Sequence, residues 1–172
     1  LIGGLDTPTS GTISIDGTDI ATLPDEALTT LRRRRLGFVF QFFNLIPVLN
    51  ATENAALPLT LDGARDADAR ARTWLEKVGL GGRLTNRPDQ LSGGQQQRVA
   101  VARALSTDPA LVLADEPTGN LDPKTSDHVF GALTELVQAT GVAALIATHN
   151  LDLAARMDRR VTLREGKLVE LV

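Results

Sequence analysis

No cysteine occurs among the 172 residues of the chain. Disulfides, thiolate metal sites and a cysteine nucleophile are therefore excluded, and the composition suits a reducing compartment. Tyrosine is also missing, and aromatic residues make up only 3% of the chain. A core must then be assembled from Leu, Val, Ile and Ala. No apolar run approaches the ~20 residues that span a bilayer as a helix, so any membrane association must come through a partner. Strong charge of either sign is absent too. The net charge of -3 argues against a nucleic-acid footprint spread over the surface. One basic run, Arg32 to Arg35, reads as a solvated helix end rather than a phosphate-binding patch.

What remains is ordinary globular composition, with 42% hydrophobic and 23% charged residues, long enough for one domain with a real core. The stretch TISIDGTDI, residues 12 to 20, alternates around Asp16-Gly17 and predicts a small antiparallel hairpin. A short helix is expected after Pro24, and LGFVF, residues 36 to 40, reads as a buried strand ending at Gln41. Ala67, Ala71, Trp74, Leu75 and Val78 recur at helical spacing, and Gly79 ends that helix. A second helix is expected over Gln95 to Leu105. LVLA (111–114) and VAALIA (142–147) are short continuous apolar runs that suit parallel strands buried on both faces. Between them Asp122-Pro123 reads as a helix start, with Val129, Phe130, Leu133, Leu136 and Val137 as the apolar face and Gly141 as the stop. VTLREGKLVEL predicts two strands around Glu165-Gly166. The expected class is α/β, a parallel sheet with a small antiparallel piece and a helical insertion.

Four constellations carry chemistry. In LSGGQQQRVAVARAL, Ser92, Gly93, Gly94 and Gln95 open a helix, whose unpaired N–H groups can hold an anion such as phosphate. For SGGQ alone a Ser-capped loop is the favoured explanation. In LVLADEPTGNLD an apolar strand delivers Asp115 and Glu116 to its carboxyl end, where open α/β sheets bind ligands. One carboxylate there can hold hydrated Mg²⁺ while the other deprotonates a water, although a solvated acidic turn would look the same. His149 closes the run ALIATH, and Gln41 follows the LGFVF strand. As strand-end residues of one parallel sheet, both would reach the edge that carries Asp115.

Taken in order, these motifs resemble those of the ATP-binding cassette (ABC) ATPases over the whole chain. The resemblance implies a P-loop NTPase core. It makes Gln41 the Q-loop glutamine, Leu91 to Gln95 the signature motif and Asp115 the Walker B aspartate, with Asp115 and Gln41 at Mg²⁺. Glu116 is then the catalytic base, Gly119 to Asp122 the D-loop, and His149 the switch histidine. Ser92, Gly93, Gly94, Gln95 and Asp122 would contact ATP. The segment GFVFQFFNLIPVLNATENAALPL, with DEPTGNLD, is similar to the lipoprotein-releasing, macrolide-exporting and cell-division subgroup. Implied partners are transmembrane permease subunits or domains and a second ABC ATPase subunit, most simply a homodimer. Neither nucleic acid nor direct membrane insertion is implied, and the expected place is the cytoplasmic face of the cell membrane. The resemblance divides the chain into 1–49 (remaining N-terminal core), 50–92 (helical subdomain) and 93–172 (signature helix to final strands).

That family needs a phosphate loop, G-x-x-x-x-G-K-[ST], and the sequence has none. Lys77, Lys124 and Lys167 are its only lysines, and Asp-Pro precedes Lys124 where the loop requires glycine. LIGGLDTPTSG, residues 1 to 11, is accordingly expected to be the tail of the helix that follows such a loop, in an N-terminally truncated cassette. A chain without that loop and strand is expected to bind ATP very weakly, to be inactive by itself and to be prone to aggregation.

Overall fold

Residues 1–171 are described by the structure, a computed structural model. Its first regular elements are β1 (Ser14–Ile15) and β2 (Thr18–Asp19), an antiparallel pair. Asp16 and Gly17 between them both take positive φ, 51° and 77°, as the dipeptide predicts. Helix α1 (Asp25–Arg35) carries Asp25 and Glu26 in its first turn and four arginines in its last, in line with the helix dipole. Those arginines are not merely solvated. Arg33 and Arg34 both donate to Asp62, at 3.0 and 2.8 Å, Arg35 pairs with Asp16, and Arg32 donates to the Gly4 carbonyl.

Strand β3 (Leu36–Phe40) follows α1 directly. Helix α2 (Ala51–Leu61) begins in a reciprocal cap, with Asn50 accepting from the Glu53 N–H and Glu53 accepting from that of Asn50. Asn54 is fully buried on α2 and saturated: it donates to the Ile46 and Leu49 carbonyls and accepts from the Ile46 N–H. The irregular segment after Gln41 is thereby stitched to the helix. In α3 (Ala67–Lys77) the spaced residues Ala67, Ala71, Trp74 and Leu75 are all buried, together with Val78 just beyond. Gly79 turns the chain at φ 74°.

Helix α4 (Gly93–Leu105) is the hub, packed on β3, α2 and α3. A Cβ on Gly37 of β3 would overlap the Ala104 carbonyl oxygen, so this contact requires glycine. Strand β4 (Leu111–Asp115) pairs in parallel with β3 on one side and with β5 (Ala143–Ala147) on the other. Between the latter two strands runs α5 (Pro123–Thr140), capped by Asp122 and closed by Gly141 at φ 69°. A short α6 (Leu151–Ala154) leads to the hairpin of β6 (Arg160–Arg164) and β7 (Lys167–Leu171).

One local expectation changes. The apolar runs are not buried on both faces: Leu111 and Leu113 of β4 are half-buried, and in β5 Leu145 is 42% exposed, with Ala143, Ala144 and Ala147 exposed as well. Among the described elements β4 alone packs closely on β5, the outermost strand in the order β3-β4-β5. Residues 1–4 close one turn, with the Gly4 N–H on the Leu1 carbonyl at 2.8 Å. Gly4, at φ 64°, takes the left-handed conformation that commonly ends helices.

Gly37→Ala should destabilise the fold by about 1–3 kcal/mol through overpacking, read as a lower urea midpoint at unchanged m. Asp62 is held below the ordinary carboxylate range by its hydrogen bond from Arg34 first, opposed by partial desolvation and aided by Arg33. A depressed carboxylate stabilises the fold above its unfolded pKa and ceases to as acid protonates the folded form. Asp62→Asn should therefore lower Tm at neutral pH, and the deficit should close as pH falls through the carboxylate range.

Candidate functional site

Parallel register builds the site. Phe40, Asp115 and Ala147 are aligned across β3, β4 and β5, so Gln41, Glu116 and Thr148 leave the sheet side by side at its carboxyl edge. Glu116 stands at φ 43°, unusual for a side chain of its size, with its N–H on the Ala147 carbonyl at 2.9 Å. Its carboxylate is held from two residues of the β5 end. Oε1 accepts the His149 backbone N–H at 2.7 Å and lies 2.7 Å from His149 Nδ1, while Oε2 accepts from Thr148 Oγ1 at 3.1 Å. Glu116 is 22% exposed and His149 81%, so the carboxylate is sheltered and the ring open. Backbone strain of this kind, worth about 1–3 kcal/mol, persists where the surroundings over-determine it.

Asp115 ends β4 with an exposed side chain. Gln41 is tied to the turn after Glu116, with Nε2 donating to Asn120 Oδ1 at 3.2 Å. No three His, Asp or Glu side chains converge into a ready metal cage among the described residues. That donor set fits Mg²⁺, which takes one or two protein oxygens and completes its shell with waters and substrate phosphates.

Ser92 to Gln95 form a separate group. Ser92 caps α4, accepting the Gln95 N–H at 3.3 Å, and Gln95 Oε1 accepts the Ser92 N–H at 2.9 Å. This leaves the Gly93 and Gly94 N–H groups with no partner inside the helix. A Cβ on Gly94 would overlap Thr125 Cγ2, while one on Gly93 would only press on a methyl of Leu121. Ser92 and Gly94 line a cleft of about 270 Å³ with Arg98, Lys124 and His128. Glu116, Gly119 and His149 line a different one of about 570 Å³ with Asn150 and Lys124. The start of α5 divides the two. Asp122 lies on that divide as the α5 cap, accepting the Thr125 N–H at 3.1 Å. Hydrogen bonds from Thr125, side chain first and then backbone, hold its carboxyl below the usual range.

Three polar residues with parts in this arrangement were not legible as such. Thr148 grips Glu116 and could have been suspected from its place beside His149. Asn120 holds Gln41 from within a turn sequence that gives no sign of a partner 79 residues away. Arg103, desolvated and with its pKa lowered for that reason, donates to the Phe43 and Asn44 carbonyls at 2.8 and 2.7 Å. Phe43 and Asn44 both have positive φ, 62° and 48°, so Arg103 steadies a strained piece of backbone just after Gln41.

A strand-end carboxylate held by a Thr-His pair, beside a glycine-rich helix start on the same α/β core, defines a P-loop NTPase architecture of the cassette type. The profile of the ABC transporter family matches residues 1–119, and the chain belongs to that family. It is 57% identical over 171 residues to the lipoprotein-releasing system ATP-binding protein LolD of Cereibacter sphaeroides, covering 98% of this chain and 76% of that protein. LolD of Hyphomonas neptunium is 51% identical over 172 residues, with 99% and 75% covered. Among solved structures, the dimeric post-hydrolysis state of the ATP-binding cassette MJ0796 bound to ADP and Pi superposes at a TM-score of 0.83. It is 41% identical and covers 99% of this chain and 78% of its own.

Ser92→Ala should cost about 1 kcal/mol of stability without any nucleotide, and Ser92→Gly only a few tenths, because glycine is a tolerable cap. Chemical unfolding of the two variants measures the structural share of this serine.

Proposed function

We propose that the chain is the ATP-hydrolysing cassette of a LolD-type complex, driving lipoprotein release, export or mechanotransmission through permease subunits. The observation that carries this reading is the Glu116 carboxylate, set at the end of β4 by Thr148 and His149. Asp115 and Gln41 would hold Mg²⁺, which when bound supplies neutralisation of the phosphate charge. Glu116 orients the attacking water and accepts its proton on a carboxylate oxygen. His149 turns Nδ1 to Glu116 and keeps a largely exposed ring, whose Nε2 is available to the γ-phosphate. Gln41 closes the same edge from β3.

Ser92, Gly93 and Gly94 act on a nucleotide held by a second cassette in a dimer. The separation of their cleft from that of Glu116 supports this arrangement in trans. Gln95 and Asp122 keep the helix starts on either side of that contact in place. Phe42 and Val48, each 72% exposed, and Leu61, 65% exposed, flank the segment after Gln41 and suit contact with permease subunits at the cytoplasmic face of the membrane. No described helix is long and apolar enough to cross a membrane. Because the 172 residues lack the glycine-rich loop and its lysine, ATP affinity of this stretch alone is expected to be low.

A second reading, favoured by the separation of the Ser92 cleft from that of Glu116, is a non-hydrolysing cassette that only lends Ser92 and its glycines to a complete partner. Phosphate release by the full-length cassette separates the two. On the first reading Glu116→Gln should lower turnover roughly 100- to 10,000-fold, in line with loss of a general base, and accumulate an ATP-bound dimer in gel filtration. Turnover that survives the change would refute the base assignment. A parent without turnover until a complete second cassette is added would establish the lending role.

A further inference from the structure

The side-chain amide of Gln41 has a defined orientation, and one residue defines it. Asn120 Nδ2 donates to the Gln41 backbone carbonyl at 3.0 Å, so the other end of the Asn120 amide is an oxygen. That oxygen can only accept, and it lies 3.2 Å from the Gln41 amide. The Gln41 atom facing it must be the nitrogen, since the flipped amide would set oxygen against oxygen. Oε1 of Gln41 is left without a hydrogen-bond donor among the described residues and is the end available to a cation.

The neighbouring residues support this clamp. A Cβ on Gly119 would stand 2.9 Å from Gln41 Nε2, so the glutamine amide lies directly over this glycine. The Gly119 N–H closes on the Glu116 carbonyl at 3.0 Å and the Leu121 N–H on that of Thr118 at 3.1 Å, so the turn carrying Asn120 overlaps the one that starts at Glu116. On the far side Arg103 fixes the Phe43 and Asn44 carbonyls. The loop is pinned at both ends, and Asn120 alone chooses the amide face.

We propose that Asn120 is a positioning residue for Gln41: it orients the amide oxygen toward the divalent-cation side and so couples that ligand to the turn that carries Glu116. The proposal rests on Gln41 acting as a cation ligand. Any displacement of the Asn120 turn would then move the base and release the glutamine together.

The test uses the full-length cassette labelled with ¹⁵N-glutamine, in which the Gln41 side-chain signal is identified by its loss in Gln41→Ala. Asn120→Ala should shift the two Gln41 amide protons to free-amide positions and speed their exchange with water. Asn120→Asp, which keeps an acceptor for Nε2, should leave them displaced from those positions. Mn²⁺ affinity, read by electron paramagnetic resonance with a non-hydrolysable ATP analogue, should fall roughly tenfold or more in Asn120→Ala, as for other partners that orient a metal ligand. It should fall no further in the double variant with Gln41→Ala than in Gln41→Ala alone. A Gln41 signal unmoved by Asn120→Ala, or additive losses of Mn²⁺ affinity, would overturn the clamp. If Gln41→Ala itself leaves Mn²⁺ affinity unchanged, the assignment of Gln41 as a ligand fails, separately from the clamp.

Discussion

The parallel hydrogen-bond register of β3, β4 and β5 brings Phe40, Asp115 and Ala147 to one level, and every later feature of the site follows from that alignment. Gln41, Glu116 and Thr148 leave the sheet together because the strands end together. Slipping one strand by a single residue would send that strand's side chains to the opposite face and break the alignment. Val39, Val112 and Ala114 are buried in the main core, and α4 lies directly on β3, where Gly37 permits backbone contact with Ala104.

Helix α4 thereby serves two ends of the molecule. Its middle fills the core with Val99, Ala100 and Val101, while Ser92 and Gly94 at its capped start line a separate cleft. Its last turn sends Arg103 to the backbone after Gln41. One continuous helix thus joins the glycines at its start to the loop after Gln41. The arginines at the end of α1 fasten α2 in the same manner through Asp62.

Left-handed backbone at non-glycine residues occurs in the turns at Asp16, Asp108 and Glu165 and also where chemistry is expected. Glu116, Phe43 and Asn44 all adopt left-handed backbone without being glycine, and each is held by hydrogen bonds from a distant segment. Thr148 and His149 restrain Glu116, and Arg103 restrains the other two. Such conformations persist only when the surroundings fix them, and the restraining residues come from β5 and α4 rather than from the strained loops.

Local pattern was sufficient for most elements. Helical spacing marked the buried face of α3, Asp-Gly and Glu-Gly marked the hairpins, and Asp122-Pro123 and Gly141 bracketed α5. The ordered motifs identified the family and brought forward Gln41, Ser92, Asp115, Glu116 and His149. Exposure of β5 was not legible, because an apolar run does not say how many neighbours its strand has. Nor were the partners of Arg33, Arg34, Arg103 and Asn120, each of which meets residues tens of positions away. Chemistry and local conformation are carried by neighbouring residues, whose propensities act over a few bonds. Which way an amide is turned, which carbonyls an arginine holds and which strand lies at the edge depend on distances between remote segments, and only packing sets those distances.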